Sequence, residues 1–228
     1  NPTEQHYRNQ FALARSVAKM EAAMAKEPVA AKWKGYAEAV RTYLYGKGCY
    51  QAALAVDQAA WEKFKNAATG VLKIETLLLI GQEAQAKEVA ATVTKAEPET
   101  VPARWQTLQP VLLAHTNQVD QALAAVADIT IEPKQDPTCL FDLARIYKAA
   151  NKTDEALGTL RLFLEHTIPT EMATSRNMIA LCADFQDLKD QDAFKNVLAT
   201  ESKIAQSDCT GGSSCSSCSL RGKCSSSQ

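Results

Sequence analysis

The sequence contains few aromatic residues, few glycines and no long hydrophobic run. Phe, Trp and Tyr make up 7% of its 228 residues, and there are nine glycines. The longest run of large apolar residues is Leu77 to Ile80, far shorter than a bilayer requires, so we expect no membrane span. The 25 basic and 26 acidic residues nearly cancel, and aromatic residues do not alternate with basic ones. Both facts argue against nucleic acid as a partner.

Motifs for catalysis are also missing from the body of the chain. The three histidines, His6, His115 and His166, are far apart, and none has a cysteine or carboxylate at a metal-ligand spacing. There is no glycine-rich phosphate-binding loop and no nucleophile elbow. We therefore predict that the chain is not an enzyme.

Residues that favour helix are abundant instead. Ala, Leu, Lys, Gln and Glu dominate between the prolines, most of which lie at breaks in the apolar pattern. The one strand-like stretch, residues 128–132, is too short and isolated to form a sheet. We predict an all-α body. Residues 1–29 are expected to form an N-terminal capping helix, with docking to a partner as the alternative role for this helix.

A short segment in which a turn residue precedes an alanine by five positions recurs along the body. Gly or Asn is the turn residue in four copies, and Leu188 replaces it in the fifth. The alanines are spaced by 33, 36, 34 and 37 residues: Ala53, Ala86, Ala122, Ala156 and Ala193. Gly and Asn tolerate a positive φ that ends one helix, and a small residue lets the next helix pass close by. This recurrence predicts a right-handed stack of helical hairpins, an α-solenoid.

The recurring segment resembles the tetratricopeptide repeat (TPR) family. The copies from Tyr36 to Lys65 and from Leu140 to Thr167 carry the family's large and small apolar residues. Trp105 and Leu108 match the Trp-x-x-Leu with which a repeat of this family begins. The resemblance implies about five TPR-like hairpins over residues 30–205. It also implies a concave surface, lined by the first helix of each hairpin, that binds another protein or a peptide.

In that register, five residues of the first helices are predicted to bind the partner: Arg104, His115, Phe141, Arg145 and Lys148. The paired Lys and Asn with which some family members hold a C-terminal carboxylate are absent from the matching positions. Arg104, Arg145 and Lys148 would instead attract an acidic segment. The alternative is that they are ordinary solubilising charges.

Four of the seven cysteines crowd into a segment rich in Ser and Gly, residues 206–228. They follow one another at intervals of six, three and six residues: Cys209, Cys215, Cys218 and Cys224. The small spacers would let four thiolates converge on a tetrahedral Zn²⁺ or on an iron–sulfur cluster. Two alternatives stay open, namely disulfides in one of three pairings and a Ser-rich tail whose thiols have no specific role.

These features together predict a non-enzymatic scaffold that docks a partner protein and carries a metal-binding C-terminal tail. The alternative is a redox or metal-delivery protein in which the tail cysteines hold an iron–sulfur cluster and the helices position it. A metal-binding tail favours a cytoplasmic location, whereas disulfides favour a periplasmic or secreted one.

Overall fold

The computed structural model describes residues 40–96, 100–127 and 137–204, together with residues 15, 18, 19, 22 and 26. The described residues form α-helices and 3₁₀-helices with no β-strand among them, which confirms the predicted all-α class. Of the predicted N-terminal helix, only the five isolated residues are described, and all five are helical. The strand-like stretch and the cysteine tail lie outside the described residues. No described helix has the length and hydropathy that a bilayer span needs.

A helical segment at residues 40–46 opens the continuous part of the structure. It is followed by α1 (Tyr50–Phe64), α2 (Ala67–Leu79), α3 (Glu83–Val93), α4 (Trp105–His115), α5 (Val119–Ala127), α6 (Thr138–Ala149), α7 (Thr153–Glu165), α8 (Met172–Leu181) and α9 (Asp192–Leu198). Two 3₁₀-helices, Pro169–Glu171 and Ala183–Leu188, flank α8. Consecutive helices pack as hairpins, which we number 1 (residues 40–46 with α1), 2 (α2 with α3), 3 (α4 with α5) and 4 (α6 with α7).

The four hairpins turn in the same way. The turn residue has a φ between 59° and 75° in each: Gly48, Gly81, Asn117 and Asn151. The amide of the following residue donates a hydrogen bond of 2.8 to 3.0 Å to the carbonyl oxygen five positions earlier. This is the pattern of a left-handed helix cap of the Schellman type. The alanine five residues beyond each turn is completely buried: Ala53, Ala86, Ala122 and Ala156.

Each hairpin packs on the next along the chain. The second helix of one hairpin contacts the first helix of the following one, in the pairs α1–α2, α3–α4 and α5–α6. The first helices also contact each other in a row, α2 with α4 and α4 with α6. Because a hairpin leaves apolar faces uncovered on both sides, this arrangement buries each face against a neighbour.

The C-terminal region, residues 169–204, departs from this pattern. We call the five recurring alanines the marker alanines, and the fifth, Ala193, is exposed. The turn that precedes it is the 3₁₀-helix Ala183–Leu188, which has no residue with a positive φ. Helices α8 and α9 pack against each other and against α7. Leu188 and Phe194 enter the hydrophobic core of hairpin 4. The region therefore joins the stack through its own irregular contacts.

Candidate functional site

Charged side chains of alternating sign connect the first helices of the four hairpins. Arg41 Nη2 lies 2.5 Å from Glu75 Oε2, and Glu75 Oε1 lies 2.8 Å from Arg104 Nε. Arg104 in turn forms an ion pair with Asp142, whose side chain is 1% exposed. We call this row, Arg41, Glu75, Arg104 and Asp142, the charged ladder. It crosses each boundary between neighbouring hairpins once.

Burial and ion pairing have opposite effects on the pKa values of the carboxylates in and beside the ladder. Burial alone would raise the pKa of Glu75, but the guanidinium groups of Arg104 and Arg41 outweigh it and lower that pKa to about 2. Asp57 lies beside Arg41 Nε, at 3.2 Å, and accepts a 2.5 Å hydrogen bond from the Thr76 hydroxyl. There burial outweighs both partners, and the pKa of Asp57 is raised.

A second group of charges surrounds Asp184, in the 3₁₀-helix Ala183–Leu188. Arg145 Nε donates to Asp184 Oδ2 at 2.5 Å, and His115 Nε2 lies 3.1 Å from Asp184 Oδ1. The other ring nitrogen of His115 lies 3.3 Å from Glu83 Oε1. Burial would raise the pKa of Asp184, but Arg145 and then His115 outweigh it and hold that pKa well below its usual range. This group joins hairpins 2, 3 and 4 to the C-terminal region.

Helix α6 makes two further contacts with the C-terminal region, one aromatic and one between exposed charges. Phe141 lies between Phe163 and Phe185, with ring centroids 5.8 and 6.2 Å away. The guanidinium of Arg145 lies over the Phe141 ring, 5.6 Å from its centroid. Lys148 Nζ lies 2.8 Å from Asp187 Oδ2 at the surface. Acidic and apolar side chains of the C-terminal region therefore alternate along α6.

The structure places all five of the predicted partner-binding residues in contacts within the chain. Phe141 and Arg145 are 2% and 1% exposed, so neither reaches solvent in this conformation. Arg104 belongs to the charged ladder, His115 lies between two carboxylates, and Lys148 pairs with Asp187 at the surface. The sequence predicts that these basic residues attract an acidic segment. In the structure a segment with two carboxylates lies against Arg145 and Lys148, and also against His115, and it comes from the same chain. Binding of a partner stays a prediction.

The metal-binding prediction concerns residues outside the described part of the chain. Within the described residues, no three His, Cys, Asp or Glu side chains come together in a way that could hold a metal ion. Cys182 is buried beside Asp184, and burial raises the pKa of its thiol far above the usual value. This cysteine therefore behaves as a small core residue. The tail set Cys209, Cys215, Cys218 and Cys224 stays a prediction.

A cleft of about 360 Å³ lies between the end of α3 and the start of α4. Its lining includes Val93, Val101 and Trp105, and none of the described residues that line it carries a charge. The chemistry on the described surface is thus ion pairing and apolar contact.

Comparison with models of protein families found no match, and searches of curated proteins and of solved structures found none either.

Proposed function

We propose that this chain is a non-enzymatic scaffold of TPR-like hairpins, stacked as a right-handed α-solenoid, that docks a partner protein or peptide. The observation that carries this proposal is the recurrence of one hairpin unit. The same turn, with a positive φ at its Gly or Asn, is followed in four hairpins by a buried alanine. Stacks of such units offer extended surfaces for binding, and their function usually lies on those surfaces rather than in a single pocket.

The binding face in this proposal is the row of first helices. Its side chains include Arg104 and Lys148, which would attract acidic groups, and His115, which lies between two carboxylates. Phe141 and Arg145 form the floor of the same face. Electrostatic complementarity on a surface of this kind mainly sets specificity and the rate of encounter.

Binding of a partner is tested by capture from an extract of the source organism. We expect the Lys148→Glu variant to capture about three- to tenfold less of the specific partner, since it reverses a charge on the binding face. The control is Lys195→Glu, because Lys195 also pairs with a carboxylate, that of Asp192, but lies on α9 outside the row of first helices. Equal capture by the wild type and both variants would contradict docking on this face.

We further propose that Cys209, Cys215, Cys218 and Cys224 bind a metal. Four thiolates are the ligand set of a structural Zn²⁺ and of common iron–sulfur clusters. The test is elemental analysis and an absorption spectrum of the purified chain, beside a variant with these four cysteines changed to serine. One zinc per chain, lost in the variant, is the expected result.

Two other outcomes have different meanings. Bound iron and sulfide with visible absorption would favour the alternative, a redox or metal-delivery protein in which the helices position a cluster. Metal-free protein without titratable tail thiols would contradict metal binding and indicate disulfides. Capture of the same partner by a chain that lacks residues 209–228 would place the docking function in the hairpins.

A further inference from the structure

A short segment of the C-terminal region lies across the first helices. This closing segment, Cys182–Leu188, contacts both α2 of hairpin 2 and α6 of hairpin 4. It passes so close to the turn of hairpin 2 that a Cβ at Gly81 would lie 3.0 Å from the Cβ of Ala183. At the turn of hairpin 1, a Cβ at Gly48 would lie 2.6 Å from Leu181 Cδ1. The two turn glycines therefore leave room for the chain at this end of the face.

The closing segment presents two carboxylates to basic side chains of the face. Asp184 contacts Arg145 and His115, and Asp187 contacts Lys148. The basic residues belong to α4 and α6, so both carboxylates pair with the hairpin stack and not with their own helix. Charge complementarity is what an acidic ligand bound to this face would show.

An aromatic side chain lies between the two carboxylates. Phe185 is completely buried and packs edge-on against Phe141, with ring centroids 6.2 Å apart. A phenylalanine buried in this way supplies most of the apolar contact between a short segment and the surface beneath it. The closing segment thus has the composition of a peptide ligand, with one apolar anchor between two charged groups.

The face also holds polar atoms that the closing segment leaves without a hydrogen bond. Among the described residues these include Arg145 Nη2 and His115 Nε2, both buried. His115 Nε2 is near Asp184, but the pair is not aligned as a hydrogen bond. Arg145 contacts Asp184 through Nε alone, although a guanidinium commonly binds a carboxylate through two parallel hydrogen bonds. A better-placed carboxylate would therefore gain bonds that Asp184 does not make.

The backbone of the segment also differs from that of the hairpins. Most of it is a 3₁₀-helix of six residues, a conformation with poorer hydrogen-bond geometry than the α-helix. It follows Cys182, whose backbone is extended, and it ends one turn before α9. The segment is therefore not a continuation of either neighbouring α-helix.

We infer that the closing segment is an internal ligand of the first-helix face, and that the partner which replaces it is an acidic peptide with a central aromatic side chain. This inference rests on the proposed docking function and names the class of partner. The order Asp184, Phe185, Asp187 describes the peptide: a carboxylate for Arg145 and His115, a ring beside Phe141, and a second carboxylate for Lys148.

Because the closing segment belongs to the same chain, it competes with any partner for the first-helix face. A tethered segment acts at an effective concentration of about millimolar, so a free peptide of similar quality competes poorly with it. Its apparent dissociation constant is the intrinsic constant divided by the fraction of molecules in which the segment is released. Partners with stronger contacts to Arg145, or partners held nearby by a second contact, would open the face.

The test measures binding of a fluorescent synthetic peptide, residues 180–190 of this chain, to the full-length protein by anisotropy. In the Phe185→Ala variant the closing segment loses its buried aromatic side chain. We expect the peptide to bind this variant about a hundredfold more tightly than it binds the wild type. The matched control is Leu108→Ala. Leu108 is also completely buried but belongs to a core cluster that does not include the closing segment, so this variant should bind the peptide no better than the wild type.

Two further peptides identify the chemistry that is recognised. A peptide with Asn in place of both Asp184 and Asp187 should bind the Phe185→Ala variant at least about tenfold more weakly, as should one with Ala in place of Phe185. Equal binding of all three peptides, or equal binding of the first peptide by the two protein variants, would overturn the inference. Circular dichroism establishes that each variant is folded before binding is compared.

Hydrogen exchange on the wild-type chain tests the inference without a substitution. The amides of residues 183–188 should exchange at least about tenfold faster than those of α7, and faster again with millimolar peptide. Exchange of both sets at the same rate would show that the segment opens only when the whole chain unfolds, and this would overturn the inference. Because no native partner is used, loss of peptide binding would leave the capture experiment for the docking function unaffected.

Discussion

Hairpins 1 to 4 and the C-terminal region reach their structures by different means. In the hairpins, each turn repeats the same positive φ and the same buried alanine, so local residues determine the geometry. In residues 169–204 the turn is a 3₁₀-helix, and the corresponding alanine, Ala193, is exposed. What holds this region is contact with distant helices, above all through Phe185 and Asp184.

This difference teaches where a substitution should be costly. Within the hairpins, the alanine five residues after each turn is completely buried, and the side chains of the charged ladder are mostly buried. Substitutions at these positions should therefore destabilise the fold. In the C-terminal region, the corresponding alanine, Ala193, and the ion-paired Asp187 lie at the surface, so we expect both positions to tolerate substitution. Matched pairs of substitutions, one from each region, therefore test the comparison directly.

The largest expected effect comes from the charged ladder. Asp142→Ala removes a carboxylate that is 1% exposed and accepts from both terminal nitrogens of Arg104. Breaking a buried ion pair from one side costs about 3 to 4 kcal/mol of the free energy of unfolding. The counterpart, Asp187→Ala, breaks an exposed pair and should cost less than about 1 kcal/mol. Urea unfolding measures both, and equal losses would contradict the comparison.

A somewhat smaller effect is expected at the marker alanines. Ala156→Leu adds three carbon atoms at a fully buried position between α6 and α7, and overpacking of this kind costs about 2 to 3 kcal/mol. Ala193→Leu makes the same change at an exposed position of α9 and should shift stability by less than about 0.5 kcal/mol. Thermal and urea unfolding of the two variants give the comparison. A destabilised Ala193→Leu protein would mean that the fifth unit packs like the others.

The smallest effect is a dependence on pH. The folded chain holds the pKa of Glu75 at about 2, below the ordinary value of 4.5, so ionised Glu75 stabilises the fold above pH 4.5. That contribution is lost as the pH falls from 4.5 towards 2. We expect the wild type to lose about 2 kcal/mol more than Glu75→Gln over this range. Parallel urea curves at pH 5 and pH 3 measure the difference, and the same loss in both proteins would exclude the ladder as its source.

Turn chemistry explains how much of the fold was predictable. Gly and Asn at the four regular turns accept a positive φ, and these are the positions from which the hairpins were predicted. The fifth copy has Leu188 in place of Gly or Asn. A bulky side chain disfavours the left-handed conformation, so the chain forms a 3₁₀-helix there, and Leu188 becomes a buried core residue.

The candidate face was predictable only in part. Hairpin register identified Arg104 and Arg145 as residues of the first helices, but their partners come from other hairpins or from the closing segment. Ladder residues follow each other at 34, 29 and 38 positions, which do not match the 33, 36 and 34 of the marker alanines. The pairing depends on how one hairpin is rotated and shifted on the next, and local patterns do not determine that.

The alternation of charge along the ladder also limits how this protein can change in length. The order is positive, negative, positive, negative in Arg41, Glu75, Arg104 and Asp142. Deleting one internal hairpin, or duplicating any single hairpin, would bring two like charges together at a boundary between hairpins. Gain or loss of hairpins in twos keeps every junction between opposite charges. Repeat number in this protein is therefore expected to change by even steps, unless a charge reversal accompanies the event.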